Sequence, residues 1–470
     1  MSNKLAKLFL LLSLVFGTIM IFVTPPFNSP DEDSHFIYAY ELSRGNLLPT
    51  EKDNHPGYNM PKTIMEDIKH YKEMANDRTK KYEYDDYYYD QLLTDNYDKT
   101  IFVPAVVSNS PKIAYIAPAI GIKIGSSLRL FSGNDQIPVS VLLQFARFFS
   151  LLAYSIIGFF AIKLTPKFKK SFFVILLMPL SIFLRSMVSY DGIILVTVAL
   201  ALANMLRIID TKSKLTKKDY ALFIITGFIL LNIKMVYSII FLCLFAIPKD
   251  VFGSNKKKAK SIALIAGGIL LLTVIKTMFY MSVKGSPEPL ASSQIDFIIH
   301  NPVGYFKILV HNIVAQLKVQ EYWMLGTLGY LDTYMPVLYV FLLKIFIVSV
   351  FLIEAFHEKI VLPLWLKIGL FLLIIFDIFG MYTMMYISWT PKVTNKTGGS
   401  EITGIQGRYF LPFLFLVPVI FNNRLVEKIK KIKVSKFLDK INTILDNNIH
   451  YITSASLIMV IVILIMRYYC

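Results

Sequence analysis

The chain has 470 residues, 55% of them apolar, and its 49 lysines and arginines against 32 acids give a formal net charge of +17. Long uncharged stretches recur along it, which excludes an ordinary soluble domain and makes a lipid bilayer its solvent. The cations sit in short runs between those stretches, which excludes nucleic acid as the partner and favours a membrane.

A spanning helix needs about 20 apolar residues. Windows of that kind fall at 7–24, 139–162, 171–189, 191–209, 219–233, 235–248, 260–281, 333–353, 362–387, 408–421 and 451–467. They predict an all-α polytopic membrane protein with about eleven transmembrane helices. The first window is kept as a span, because no small-residue cleavage site follows it before Thr24-Pro25-Pro26. Basic runs at 163–170, 207–218, 249–260 and 424–440 fall on alternate loops, and with Lys4 and Lys7 they are expected on the cytoplasmic side. Loops 25–138, 282–332 and 388–407 are then extracytoplasmic, and the composition suggests a bacterial plasma membrane. Residues 1–422 form one membrane domain, followed at 423–470 by a basic linker and a last helix. Cys243 lies mid-span and Cys470 ends the chain, so no disulfide framework holds the long first loop.

That loop opens with Ser29-Pro30-Asp31-Glu32, which has the spacing of a helix capping box. His35 falls on the same helical stripe as Asp31 and Glu32, the pattern of a site at a water-filled mouth. Both readings stay open. Beyond Pro61, Ile64, Ile68, Tyr71 and Met74 share one face of a helix suited to lie on the outer leaflet. The tyrosine-rich stretch 81–90 reads as a solvated loop, with sugar binding the rarer alternative. Segment 111–131 is interrupted by Pro118, Gly121, Lys123, Gly125 and Arg129, and it reads as interfacial or re-entrant.

Further along, Arg185, Tyr190 and Asp191 stand at the outer boundary between two spans, either as a tight turn or facing a cavity. Lys234 interrupts an apolar hairpin, either snorkelling or holding an anionic lipid phosphate. Asp296 and His300, four apart before Asn301-Pro302, read first as a surface contact. Arg408 enters a span from the outer face behind Gly404 and Gly407, which would let backbone approach a ligand, and its fork suits phosphate. Asp31, Glu32, His35, Asp191, Lys234, Asp296 and Arg408 thus share one side, which suggests a basic phosphate clamp beside a carboxylate base.

The motifs P-D-E-x-x-H at 30–35, S-Y-D-G at 189–192, Lys234 with Tyr237, Q-I-D-F-I-I-H-N-P at 294–302, G-x-L-G-Y-L-D at 326–332 and G-I-Q-G-R-Y-F-L-P at 404–412 resemble a bacterial multi-pass family catalogued as a domain of unknown function, number 2142. That family in turn resembles the GT-C membrane glycosyltransferases, among them aminoarabinose transferases and protein O-mannosyltransferases. The resemblance implies a GT-C-like fold and places the catalytic aspartate at Asp31, with Glu32 beside it; where the aminoarabinose enzymes carry D-E-x-R-Y, His35 follows instead. It implies transfer of a sugar from a polyprenyl-phosphate carrier to a cell-envelope glycan acceptor. Asp31 would be the general base, with Arg408, Lys234 and Arg185 on the phosphate and His35, Asp191, Tyr190, Tyr237, Gln406 and Tyr409 in support. Mg²⁺ or Mn²⁺ on Asp31, Glu32, His35 and Asp191 suits oxygen ligands, but no spacing requires it. The alternatives are a transporter or flippase of lipid-linked precursors, which would carry its ionisable groups near the midplane on broken helices, and a polysaccharide polymerase or ligase.

Overall fold

The computed structural model describes the chain apart from residues 1, 54, 76, 84–91, 94–99, 105–110, 128–136, 281–288, 359, 361 and 423–433. The tyrosine-rich stretch therefore lies outside the described residues from position 84 onward.

Helix α1, Ser2–Val23, leads into α2, Glu32–Ser43. The first loop continues through three short antiparallel strands, Thr50–Lys52, His55–Pro61 and Thr100–Pro104, with α3, Lys62–Lys72, between the second and third. Helix α4, Ile116–Ser127, precedes α5, Val139–Leu164. Then come α6, Lys169–Leu177; α7, Pro179–Ser186; α8, Tyr190–Thr211; and α9, Lys217–Ile233. A 3-10 helix, Met235–Ala246, is followed by α10, Asn255–Tyr280; α11, Pro289–His300; and α12, Pro302–Gly326. Helices α13, Val337–His357, and α14, Leu364–Ser388, precede a second 3-10 helix, Gly407–Leu416, and α15, Val434–Tyr468, ends the chain.

Among the described residues, seven helices are long and apolar enough to cross a membrane: α1, α5, α8, α10, α13, α14 and α15. Large apolar side chains such as Leu11, Phe160, Leu270, Phe341 and Phe376 stand exposed on them, as expected where the solvent is lipid. The chain is a helical, multi-pass membrane protein. Helix α8 is the buried axis of the bundle, packed between α5 and α9, whereas α10 is almost wholly exposed.

Three apolar windows do not form single α-helices. The window 171–189 is broken where Met178 turns extended before Pro179, whose ring cannot donate the next helical hydrogen bond. The windows 235–248 and 408–421 wind largely as 3-10 helix, the second with Pro412 inside it. The tighter winding rises about 2.0 Å per residue, so the 12 residues Met235–Ala246 reach about 24 Å rather than about 18 Å. A stretch too short for an α-helical span is thereby lengthened towards the thickness of an apolar layer, about 30 Å.

The bundle has a basic end and an opposite end. At the basic end, Glu354 accepts from the backbone N–H groups of Lys170 and Ser171 at 2.8 and 2.7 Å, Lys170 pairs with Asp446 at 2.7 Å and Lys167 with Glu358 at 3.3 Å. At the other end the first loop is tied to the last helix. Arg467 pairs with Asp332 at 2.5 Å and donates to the carbonyls of Met74, Asp77 and Lys80.

Two expectations for the first loop change in detail. The apolar face of α3 exists as read, but Ile64, Ile68, Tyr71 and Met74 are buried in the protein, with Tyr71 against Phe27, so the face is not offered to lipid. Helix α4 is 12 residues long, lies along α5 and exposes Ile116, Ile120 and Ile124, which fits an interfacial piece rather than a span.

Candidate functional site

After α1 the prolines 25 and 26 end the helix, and the chain turns through Phe27 and Asp31, both with positive φ. Asn28 fixes the turn by donating to the carbonyls of Pro26 and Tyr71 at 2.9 and 3.0 Å. No capping box forms. Asp31 is the residue before α2, at φ 63°, with no side-chain cap bond, and the Glu32 side chain is drawn elsewhere.

Asp31 points to Arg408, whose Nη2 lies 2.6 Å from its Oδ2. The same guanidinium sets Nε 3.2 Å from Asp191 Oδ2, an ion-pair contact without hydrogen-bond alignment, and donates from Nη1 to the Pro30 carbonyl at 3.4 Å. Asp191 Oδ1 is 3.3 Å from Lys234 Nζ, and that ammonium lies 3.8 Å from the centroid of the Tyr409 ring and 5.2 Å from that of Tyr190. Four chain segments meet here: the start of α2, the start of α8, the end of α9 and the start of the second 3-10 helix. Ser189 caps α8 by accepting from the Asp191 N–H, which fixes that carboxylate at the helix N-terminus.

Only one part of the cluster is open. The Asp31 side chain is 52% exposed and that of Lys234 20%, against 5% for Arg408 and 7% for Asp191. His35 is buried beneath, its Nδ1 2.8 Å from the Tyr115 hydroxyl and its ring edge-on to Tyr190. Burial pushes the imidazole down to about 4, despite the nearby carboxylates of Asp31 and Asp191, so at neutral pH it is uncharged. Tyr237 donates to the Tyr409 carbonyl at 3.0 Å, and Gln406 Oε1 is buried with no partner among the described residues.

Glu32 is fully buried and does not reach the mouth. It accepts two bonds from Arg147, at 2.8 and 2.6 Å, and one from the Val188 N–H at 3.0 Å. Arg147 also donates to the carbonyls of Ile21, Thr24 and Pro25. This pair joins the end of α1 and the start of α2 to the segment before Asp191. The spacing of the sequence gives no sign that Arg147 answers Glu32 across 115 positions.

Arg185 is also not brought to the cluster. It lies at mid-depth, donating to Ser13 and Ser155 and to the carbonyls of Leu176 and Ser181, beside the break between α6 and α7. Asp296 stays in α11, where His300 Nδ1 contacts its backbone oxygen at 2.9 Å, and neither side chain joins the site. The glycines before Arg408 serve packing within the protein. A Cβ on Gly407 would stand 2.3 Å from the Met324 nitrogen, and one on Gly404 2.3 Å from the Trp389 ring.

A ladder that sequence reading missed delivers Arg408 to its place. Asn312, Gln316 and Gln320, four apart on α12, donate to the carbonyls of Ser400, Ile402 and Ile405 at 2.8, 2.8 and 3.2 Å. Asn312 also accepts from the Ile402 N–H. The signal was their four-residue spacing, which puts three amides on one face of the helix.

Asp31, Glu32, His35 and Asp191 do not suit a metal ion. Glu32 is consumed by Arg147, His35 faces Tyr115, and the two aspartates already share Arg408; among the described residues no three potential ligands converge. A mostly apolar groove of about 520 Å³ runs between the first 3-10 helix, α10 and α14, lined by Met235, Ile239, Phe245, Ile265 and Phe376 together with Asp377. It begins one residue beyond Lys234.

Fold and site together define a multi-pass membrane protein that gathers two cations and two carboxylates at one end of its bundle. Residues 14–417 match a family described as predicted membrane protein, DUF2142, and the chain belongs to that family. No curated protein and no solved structure matches it.

Proposed function

We propose that the protein is a GT-C-like glycosyltransferase that moves a sugar from a polyprenyl-phosphate carrier to a cell-envelope glycan acceptor. The chain crosses the membrane eleven times, counting both 3-10 helices, α9 and the broken pair α6 and α7 as crossings, and the site faces outward. The observation that carries this reading is the half-exposed Asp31 carboxylate held 2.6 Å from Arg408, with Lys234 alongside; a mostly apolar groove that could take a lipid chain starts at Met235, the next residue after Lys234. In the reaction the acceptor hydroxyl attacks the anomeric carbon as the bond from that carbon to the phosphate oxygen breaks, with inversion. The hydroxyl proton passes to Asp31, and the electron pair leaves with the phosphate. A positioned base contributes about 10²–10⁴-fold. Arg408 and Lys234 stabilise the charge that grows on the leaving phosphate, a preorganised electrostatic contribution that is commonly the largest single one.

A transport reading draws on one observation, the buried Arg185 at mid-depth beside a broken helix. Its donors, however, are turned to hydroxyls and carbonyls of the protein itself, which makes it the tie of the break rather than a carrier site.

The test is purified protein in liposomes with radiolabelled polyprenyl-phosphate sugars and a wall-polymer extract. Wild type transfers label, whereas Asp31→Asn binds donor but transfers it about 10²-fold more slowly or worse, and Arg408→Ala loses binding. Undiminished transfer by Asp31→Asn, or lipid-linked sugar moved between leaflets with no transfer, would overturn the enzyme reading.

A further inference from the structure

We infer that the anion taken by this site carries one negative charge, as a phosphodiester does, and that it enters by exchange with the Asp31 carboxylate on Arg408. This rests on the phosphate reading of Arg408 and Lys234 above.

The resting cluster is electrically closed: Arg408 and Lys234 face Asp31 and Asp191. The other charged neighbours are paired among themselves. Lys72 holds Asp33 at 2.7 Å, Arg147 holds Glu32 and Arg467 holds Asp332. His35, buried and neutral, adds no charge. The Arg408 guanidinium contacts Asp31, Asp191 and the Pro30 carbonyl, its Nε without an aligned hydrogen bond, and Asp31 covers its open side, so an anion entering from there replaces a partner. Asp191 is buried and fixed by its capped helix start. Asp31 is the partner that can leave, being half-exposed, without a cap bond and at positive φ.

Once Asp31 swings out, two cations face one carboxylate, and the site holds a single uncompensated positive charge in low-dielectric surroundings. Such a charge is costly until an anion neutralises it. A sugar joined to its carrier through one phosphate is a phosphodiester with one negative charge, which closes the balance again. A diphosphate carries at least two and would leave excess negative charge beside Asp191. The displaced Asp31 is then unpaired and next to the bound phosphate, where a base for the acceptor is needed.

The experiment measures binding to the full chain in nanodiscs, using farnesyl methyl phosphate, farnesyl diphosphate and dimethyl phosphate on wild type, Asp31→Asn and Asp31→Gly. Glycine suits the positive φ and guards against a misfolded variant. Wild type is expected to bind the farnesyl diester about tenfold more tightly than the diphosphate, and both variants to bind the diester about tenfold more tightly than wild type does, since the competing carboxylate is gone. Tighter binding of the diphosphate by wild type, or no gain in either variant, overturns the inference. Equal affinity for dimethyl phosphate keeps the charge rule and overturns the lipid carrier. Binding of none of the three anions by any variant overturns the phosphate reading itself.

Discussion

One peptide bond apart, Asp31 and Glu32 meet two different arginines, and their surroundings set opposite consequences for losing them. Glu32 and Arg147 are both buried, with side-chain exposures of 0% and 1%. Removing one partner strands the other charge, so Glu32→Leu should cost about 3–5 kcal/mol, read as a loss of folded protein in thermal unfolding in detergent. Asp31 is half-exposed, and the buried Arg408 keeps Asp191 at 3.2 Å when it is lost, so Asp31→Asn should cost clearly less than Glu32→Leu. Comparable melting losses for the two would contradict this division of labour. His35 gives a pH signature. Its buried imidazole is pushed down to about 4, while the unfolded chain protonates near 6.5. The unfolded state therefore binds more protons across that interval, and stability falls as pH drops from about 6.5 towards 4, by roughly 2 kcal/mol between pH 7 and pH 5. His35→Gln should flatten that slope, and an unchanged slope would place the acid sensitivity elsewhere. The sequence marked Asp31, Asp191, Lys234 and Arg408 as misplaced polar groups, because membrane depth makes each conspicuous. It could not separate Asp31 from Glu32, since what distinguishes them is Arg147, and only the fold brings that residue near.

At the scale of elements, counting residues misjudges how far a segment reaches. Hydropathy windows saw 235–248 and 408–421 as apolar, but composition does not show that they wind as 3-10 helix and so reach farther than an α-helix of that length. Helix α12 escaped the reading for the converse reason. Lys307, Lys318 and Glu321 kept it from looking like a span, while its Asn312, Gln316 and Gln320 ladder holds the strand of chain that delivers Arg408. The Gln316 and Gln320 rungs are each a single hydrogen bond worth about 1 kcal/mol. Losing two should therefore loosen the segment without unfolding the protein. In the double variant Gln316→Leu, Gln320→Leu, hydrogen exchange of residues 400–406 should quicken about tenfold or more, and anion binding at Arg408 should weaken in parallel. Exchange at the wild-type rate would mean that the 3-10 helix alone positions the arginine.

For the whole molecule, the alternation of basic and acidic ends was legible from sequence because lysine runs between spans are local features. The structure gathers Lys167 and Lys170 with Glu354, Glu358 and Asp446 at one end of the bundle, and Asp31, Asp332 and Arg467 at the other. The positive-inside rule predicts that the end carrying Asp31 faces outward, and the chain carries its own probe of that prediction. Cys243 is buried, whereas Cys470 is exposed, directly after Tyr469, whose hydroxyl contacts the Phe22 carbonyl near the end of α1 that leads to Asp31. A membrane-impermeant maleimide applied to intact cells should therefore label the native protein at Cys470. With Cys470 replaced by serine, Glu401→Cys should label from outside, while Lys214→Cys and Lys256→Cys should label only after lysis. The reverse pattern would turn the site towards the cytoplasm, where soluble nucleotide-activated sugars are available. A carrier that presents sugar from the lipid would then no longer be needed to explain the groove beside Lys234.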